Sequence, residues 1–186
     1  YLGLRLWVDG QEIRRNYSLS AAPDGQTYRI SVKREEGGRA SNHLHDAVHE
    51  GDTLEVFAPA GAFTLAAGTR PLALISGGVG ITPTLPMLHA AHEQNRPVTF
   101  LHFARSRRVH AFRDWVDDLV ARHAQARRFY CYEENGAAPA DAYGRASPEL
   151  LARCLPSARD VDAYFVGPPP FMGAIKRMLG ELGVPA

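Results

Sequence analysis

"PLALISGGVGITP", residues 71–83, decides how this chain is read. The run from Leu72 to Ile75 is apolar without interruption, which suits a strand buried on both faces rather than one with a wet side. Gly77, Gly78 and Gly80 follow at once, and glycine lets a backbone turn sharply with no side chain in the way. Thr82 is a good helix N-cap and Pro83 suits the first helical position, so the spacing predicts strand, glycine turn and helix in succession. Free backbone N–H groups and the positive end of a helix dipole then converge on one point, a ready site for an anion. The G-x-G-x-x-G fingerprint is not met, because Pro83 stands where the third glycine would be. Alone, the loop points to an anion cradle, with a plain strand–helix turn as the lesser alternative.

The rhythm persists downstream. "PVTFLHFA" is a second buried run and "HAFRDWVDDLVARHA" a second amphipathic helix. "RRFYCYE", "SPELLARCL", "DAYFVG" and "PPPFMGAIKRMLGELG" continue the alternation of strand and helix. Buried strands alternating with helices predict a doubly wound parallel α/β domain over residues 67–186. A second loop, "FVGPPPFM" at residues 165–172, lies at the same sheet edge: Gly167 permits close approach, and Pro168, Pro169 and Pro170 stiffen the entry to the last helix. Two such loops at the carboxyl ends of neighbouring strands can clamp one dinucleotide, or simply form a rigid connection.

Upstream, residues 1–66 read differently. "YLGLRLWV" alternates, "APDGQ" is a turn cluster, "YRISVKR" alternates through Tyr28, Ile30 and Val32, and "GDTLEVFAPAGAFTL" continues the pattern around Pro59 and Gly61. One helix is predicted in "SNHLHDAVHEG", capped by Ser41 or Asn42 and ended by Gly51. Short strands with Gly and Pro turns predict an antiparallel barrel, and a thin one, so further strands are expected before Tyr1.

Composition narrows the class. A net charge of +1 with no long basic tract argues against a nucleic-acid partner, and no apolar run is long enough for a membrane helix. Cys131 and Cys154 stand apart with no metal or redox spacing, so a reducing, cytoplasmic setting is expected.

Within "RRNYSLS", residues 14–20, Arg15 and Tyr17 point to one face of a strand, with Ser18 able to join them only at the strand's end. An arginine fork suits a pyrophosphate, a tyrosine ring suits a flat heterocycle, and a serine hydroxyl can bond a ring nitrogen that gains hydride. "GGRASN" places Gly37, Gly38 and Ser41 at a predicted helix start, a second anion cradle. Each residue alone has an ordinary structural role. Together, in a small β domain beside an α/β domain, they favour a flavin nucleotide. His43, His45 and His49 raise a metal, with His45 and His49 spaced to share a helix face, but a solvated face is preferred. Arg105, Arg107 and Arg108 follow the second parallel strand, where an arginine can accommodate a 2′-phosphate or be plain surface charge.

In this order "RNYS", "GGRASN", "APAGAF", "GGVGITP" and "VGPPPFM" resemble the ferredoxin–NADP⁺ reductase-type module, and most closely the reductase part of flavohaemoglobins, the nitric oxide dioxygenases. "YRISVKREEGG", "SNHLHD" and "VHAFRD" strengthen the likeness, which covers nearly the whole chain. The resemblance implies a β barrel holding FAD and an α/β domain holding NADH, with NADPH the second choice. It implies FAD contacts from Tyr1, Arg15, Asn16, Tyr17, Ser18, Lys33 and Ser41, with Tyr17 and Ser18 nearest the reacting ring. Gly78, Val79, Gly80, Ile81, Thr82 and Pro83 would hold the nicotinamide dinucleotide, and Gly167 and Pro168 would close over it. Electrons would leave for a haem-globin domain of the same parent chain, or in a second reading for an iron–sulfur protein; a non-catalytic nucleotide-binding fragment is the third. The resemblance also implies barrel strands and a globin before Tyr1, and a closing strand after Ala186. It implies a cysteine where this chain has Val166.

Overall fold

A computed structural model describes residues 1–134, 140–155 and 160–184, in two compact units, Tyr1–Leu65 and Ala66–Ala186. In the first unit, strands β1 (Leu2–Val8) and β2 (Gln11–Tyr17) form an antiparallel hairpin. Asp9 and Gly10 turn it, both at positive φ (52° and 72°), the backbone that two-residue hairpin loops require. A third, short strand, β3 (Glu55–Val56), pairs with the other side of β1. Alternation does the sorting: Leu2, Leu4, Leu6, Val8 and Ile13 face inward and pack with Ala40 of helix α1 (Arg39–Asp46). On the outer face Arg5 lies between Glu12 and Glu55, at 3.8 and 3.1 Å, and the guanidinium groups of Arg5 and Arg14 cover the Phe57 ring.

Three expectations for this unit are corrected. "YRISVKR" does not form a strand; it is held by one bridge, Leu19 to Ile30, with the Ser20 N–H donating to Arg29 O at 2.8 Å. Alternation makes a segment competent for a sheet, but a ladder also needs a partner along its whole length. "GDTLEVFAPAGAFTL" likewise contains only the two strand residues of β3. Helix α1 starts earlier and ends sooner than its sequence suggests: Gly38 is its N-cap with no side-chain cap, and it closes at Ala47, well before Gly51. His49 therefore lies beyond the helix and shares no helical face with His45, whose Nε2 lies 2.8 Å from Val32 O.

The second unit is built on a five-stranded parallel sheet in the order β7–β6–β5–β4–β8. Its strands are β4 (Leu72–Gly77), β5 (Val98–Ala104), β6 (Ala126–Tyr132), the short β7 (Ala142–Tyr143) and β8 (Asp162–Val166). The helices are α2 (Thr84–Glu93), α3 (Arg113–Ala121), α4 (Pro148–Cys154) and α5 (Pro169–Glu181). Strand β7 was not legible as a strand, being two residues long. One face of the sheet buries Ala73, Ile75, Leu101, Phe103 and Cys131 against Leu151 of α4 and Ile175, Met178 and Leu179 of α5. The alternate residues Leu72, Leu74, Val98 and Phe100 are as deeply buried on the other face, where α2 and α3 contact β4, β5 and β6. Both cysteines are free and buried in the α4–α5 core, so residues distant in sequence share one core, and burial pushes the Cys131 thiol up to about 11. Chain order runs outward from β4 through β5, β6 and β7, whereas β8 lies on β4's other side. The winding therefore reverses between β4 and β8.

Arg96 fastens the base of this sheet. It is 3% exposed; its Nε donates to Arg70 O at 2.7 Å and its guanidinium to Asp162 at the head of β8 at 2.5 Å and to Ala66 O at 3.2 Å. A buried cation that loses its anion is left uncompensated. Asp162→Ala is expected to destabilise this unit by about 3–5 kcal/mol, the scale for breaking a buried pair, as a lowered urea midpoint.

Candidate functional site

At the switch point two loops meet. Strand β4 ends in Gly77, and Gly78–Ile81 coil immediately into a 3₁₀ turn that leads to α2. Gly167 follows β8, and Pro168 and Pro169 start α5. A Cβ on Gly80 would stand 2.6 Å from Val166 O and 2.9 Å from Gly167 Cα. A Cβ on Gly167 would stand 2.7 Å from the Phe171 ring, and one on Gly77 would stand 3.1 Å from it. Three of the four glycines thus serve backbone-to-backbone and backbone-to-ring packing between the loops. Gly78 is different. It sits at φ +56° with nothing within 4 Å of an added Cβ, and beside it Val79 is 48% exposed. This is the open position of the cradle, at the carboxyl edge where doubly wound sheets take their ligands.

The expected cap at Thr82 is corrected. Its backbone is helical (φ −56°, ψ −47°) and both its N–H and its hydroxyl donate to Val79 O, at 3.2 and 3.1 Å. The N-cap of α2 is Pro83, without a side-chain bond. The 3₁₀ turn that begins at Gly78 puts the start of the coil upstream of Thr82. The N–H groups at its first turn are the ones a helix start leaves unpaired.

In the first unit, Arg15 and Tyr17 share the inward face with Ile13, opposite Leu4 and Leu2 of β1, while Asn16 faces out beside Gly3. Strand β2 ends at Tyr17, so Ser18 is the first residue past it. Arg15 is exposed and donates to its neighbour's carbonyl, Arg14 O, at 2.7 Å, and burial raises the Tyr17 phenol. The Tyr1 ring lies on the Gly61 backbone, where a Cβ would be 2.9 Å away, and its amino group donates to Ala60 O at 2.8 Å. Lys33 is ion-paired with Glu35 at 2.8 Å. Ser41 is not a free cradle group. It sits inside α1, its hydroxyl accepting from Glu35 N–H and donating to Gly38 O, both at 3.1 Å, which locks the Gly37–Gly38 turn.

Of the three arginines after β5, Arg105 is engaged by Glu134 at 3.4 Å, while Arg107 and Arg108 are exposed on the short turn Arg107–Val109. Beside them an open pocket of about 320 Å³ is lined by Arg107, His110, Phe112, Arg113, Asp114 and Trp115. Among the described residues no group of three metal-ligating side chains converges, and no helix is long and apolar enough to cross a membrane.

Sequence reasoning passed over a buried polar row beneath this edge. Ser76, His102 and Tyr130 lie in register across β4, β5 and β6, all 2% exposed or less. Ser76 Oγ and His102 Nδ1 are hydrogen-bonded at 2.9 Å, the His110 ring lies 4.3 Å from that of His102, and His110 Nδ1 meets the Tyr132 hydroxyl at 2.8 Å. Tyr130 donates to Asp117 at 2.9 Å. The available signal was the histidine inside the apolar run "PVTFLHFA".

The comparisons agree with both halves of this picture. Residues 1–65 match the oxidoreductase FAD-binding domain family and residues 74–177 the oxidoreductase NAD-binding domain family. Over 186 residues the chain is 64% identical to a flavohemoprotein of Pseudomonas putida, and over 187 residues 59% identical to one of Pseudomonas aeruginosa; each alignment takes in 100% of this chain but 47% and 48% of those proteins. The chain thus spans about half the length of the curated relatives it matches. The FAD/NAD-binding domain of nitric oxide dioxygenase from Vibrio cholerae O1 biovar El Tor superposes with a TM-score of 0.92 at 35% identity, covering 100% of this chain and 79% of that one. The chain belongs to the FAD- and NAD-binding oxidoreductase modules of the flavohemoprotein family.

Two outcomes follow. Gly80→Ala forces a methyl against the Val166 carbonyl and is expected to cost about 1–3 kcal/mol, the usual range for overpacking, whereas Gly78→Ala meets no atom and pays only for its left-handed backbone, about 1–2 kcal/mol. Thermal melts of the two variants, each with and without NADH, separate packing from ligand contact: only Gly78→Ala should lose part of the stabilisation that NADH confers. Acid sensitivity comes from the histidines. Burial first, then the nearby Arg113 cation, brings His110 down to about 4, and burial holds His102 well below its usual range. The unfolded chain binds these protons more readily, so stability is complete above about pH 6.5 and falls as pH drops towards 4. His110 alone should remove about 2 kcal/mol by pH 5 in urea titrations, and His110→Phe should flatten that slope.

Proposed function

We propose that this module carries reducing equivalents from NADH to FAD and onward, one electron at a time, to a haem-globin domain of the same parent chain, which consumes nitric oxide and dioxygen to make nitrate. The observation that carries the reading is the open glycine position at the sheet's switch point in a chain whose other unit matches FAD-binding domains along its whole length. The module's own residues act by positioning, since the cofactors supply the redox chemistry: when bound, NADH donates hydride and FAD accepts it and releases electrons singly. Gly78 and Val79, with the first amides of the turn, receive the dinucleotide's phosphates without a side chain intervening. Gly80, Ile81, Thr82, Pro83, Gly167 and Pro168 give that cradle its shape.

Arg15 takes the flavin's pyrophosphate, Tyr17 and Ser18 lie against its ring, and Tyr1 and Asn16 complete the surface. Lys33 and Ser41 border it, Ser41 through the turn that it locks. NADH is favoured over NADPH by the likeness to flavohemoproteins and by the match to the oxidoreductase NAD-binding domain family. The flavohemoprotein relatives, at 59% identity and above, favour a globin over an iron–sulfur acceptor. The setting is cytoplasmic, where both thiols stay reduced.

The test is anaerobic. NADH should bleach the flavin absorbance of the FAD-loaded protein, and Arg15→Ala should weaken FAD binding by about 1.5–3 kcal/mol, the value of a charge-assisted hydrogen bond, without altering NADH affinity. A flavin that NADH leaves oxidised would refute the reading.

A further inference from the structure

The turn that carries Arg107 and Arg108 has no buried residue of its own: Arg107, Arg108 and Val109 are all exposed. Two bonds close it, from Val109 N–H to Ser106 O and from His110 N–H to Arg107 O, each at 3.2 Å. What holds it to the domain is the next residue. His110 is 7% exposed, and its ring is fixed on three sides. Nδ1 meets the Tyr132 hydroxyl at 2.8 Å at the end of β6, one ring face lies 4.3 Å from His102 of β5, and Tyr130 approaches edge-on at 4.5 Å. His102 in turn holds Ser76, the residue just before Gly77, at 2.9 Å. Beyond His110, Phe112 adopts a left-handed backbone (φ 62°), uncommon for a residue other than glycine, as it leads into α3. A continuous line of side chains therefore runs from the strand that launches the glycine cradle to the arginine turn.

We infer that His110 is a positioning residue for the dinucleotide, setting through Tyr132 and His102 the distance between the arginine turn and the glycine cradle, so that Arg107 meets the adenosine end of a nicotinamide dinucleotide already seated at Gly78. The inference rests on the NADH reading above. Among the described residues the buried His110 Nε2 has no hydrogen-bond partner, so the Tyr132 hydroxyl gives this ring its one hydrogen bond there. Its removal loosens the ring's orientation while the contacts with His102 and Tyr130 still confine it.

The test is a double-mutant cycle in the FAD-loaded protein with NADH as the probe. Tyr132→Phe, which deletes one oxygen, is expected to raise the Kd for NADH about two- to ten-fold, the span of one hydrogen bond, while flavin reduction at saturating NADH keeps its rate. Arg107→Ala should raise the Kd as well. The double variant should be no weaker than Arg107→Ala alone, because the hydroxyl acts only through Arg107's placement; independent effects would multiply. Multiplying penalties, or an unmoved Kd in either single variant, overturn the inference and leave the NADH reading standing. Failure of the unaltered protein to bind NADH overturns both. Circular dichroism of Tyr132→Phe is expected to match the parent's, with a melting temperature only a few degrees lower because the buried His110 Nδ1 loses its partner, which separates positioning from loss of fold.

Discussion

The contact on which the second unit depends is the meeting of two backbones where the winding reverses. Gly80 rests against the Val166 carbonyl and the Gly167 α-carbon, and the Phe171 ring rests on Gly77 and Gly167. A side chain at Gly80 would meet backbone within 3 Å, and one at Gly77 or Gly167 would press on the Phe171 ring. The close approach does two things at once: it joins β4 to β8 at the carboxyl edge, and it leaves Gly78 and Val79 as the outward part of the turn. A cradle made this way owes its shape to excluded volume as well as to the two bonds from Thr82 to Val79 O. It is therefore stiff before any ligand arrives, which lowers the ordering cost of binding.

The sheet beneath is less uniform than its apolar strands suggest. Polar groups buried this deeply are costly unless bonded, and Ser76, His102, Tyr130 and Tyr132 each find a partner within the row or beside it. Asp117 gathers the far end, accepting from Tyr130 and pairing with Arg128 at 2.7 Å, while Arg128 covers the Tyr130 ring at 4.6 Å. Such a network specifies one arrangement of strands and neighbouring turn where packed leucines would tolerate several. Burial holds both histidines low, and at His110 burial together with the Arg113 cation outweighs the opposing pull of Asp117.

The two units were unequally legible. In the second, apolar runs at β4, β5 and β8 and the helices between them stood out, because a strand covered on both faces must be apolar throughout. The short β7 did not, since two residues carry no period. In the first unit β1 was legible from its alternation, whereas the Asp9–Gly10 turn that pairs it with β2 was not read, and "YRISVKR" was misjudged because its alternation says which face is wet and nothing about whether a neighbour is present to bond it. Helix α1 was misjudged at both ends for a related reason: Ser41 is a good cap by type, but its hydroxyl is taken by the Glu35 amide and the Gly38 carbonyl. Residue type sets what a side chain can bond, and proximity sets what it does bond.

The residue sequence by itself determined the class of fold, the order of its elements and the places where glycine and proline interrupt them, because periodicity, capping and φ restriction are local properties. It also carried the family resemblance, which rests on motifs in a fixed order. Only the tertiary structure decided that Gly77, Gly80 and Gly167 are small for one another's sake while Gly78 is small for open space. Only it brought Ser76, His102, His110 and Tyr132 into one line from three strands and a turn. Contacts between residues distant in the chain follow from strand order and register, and no local pattern encodes those.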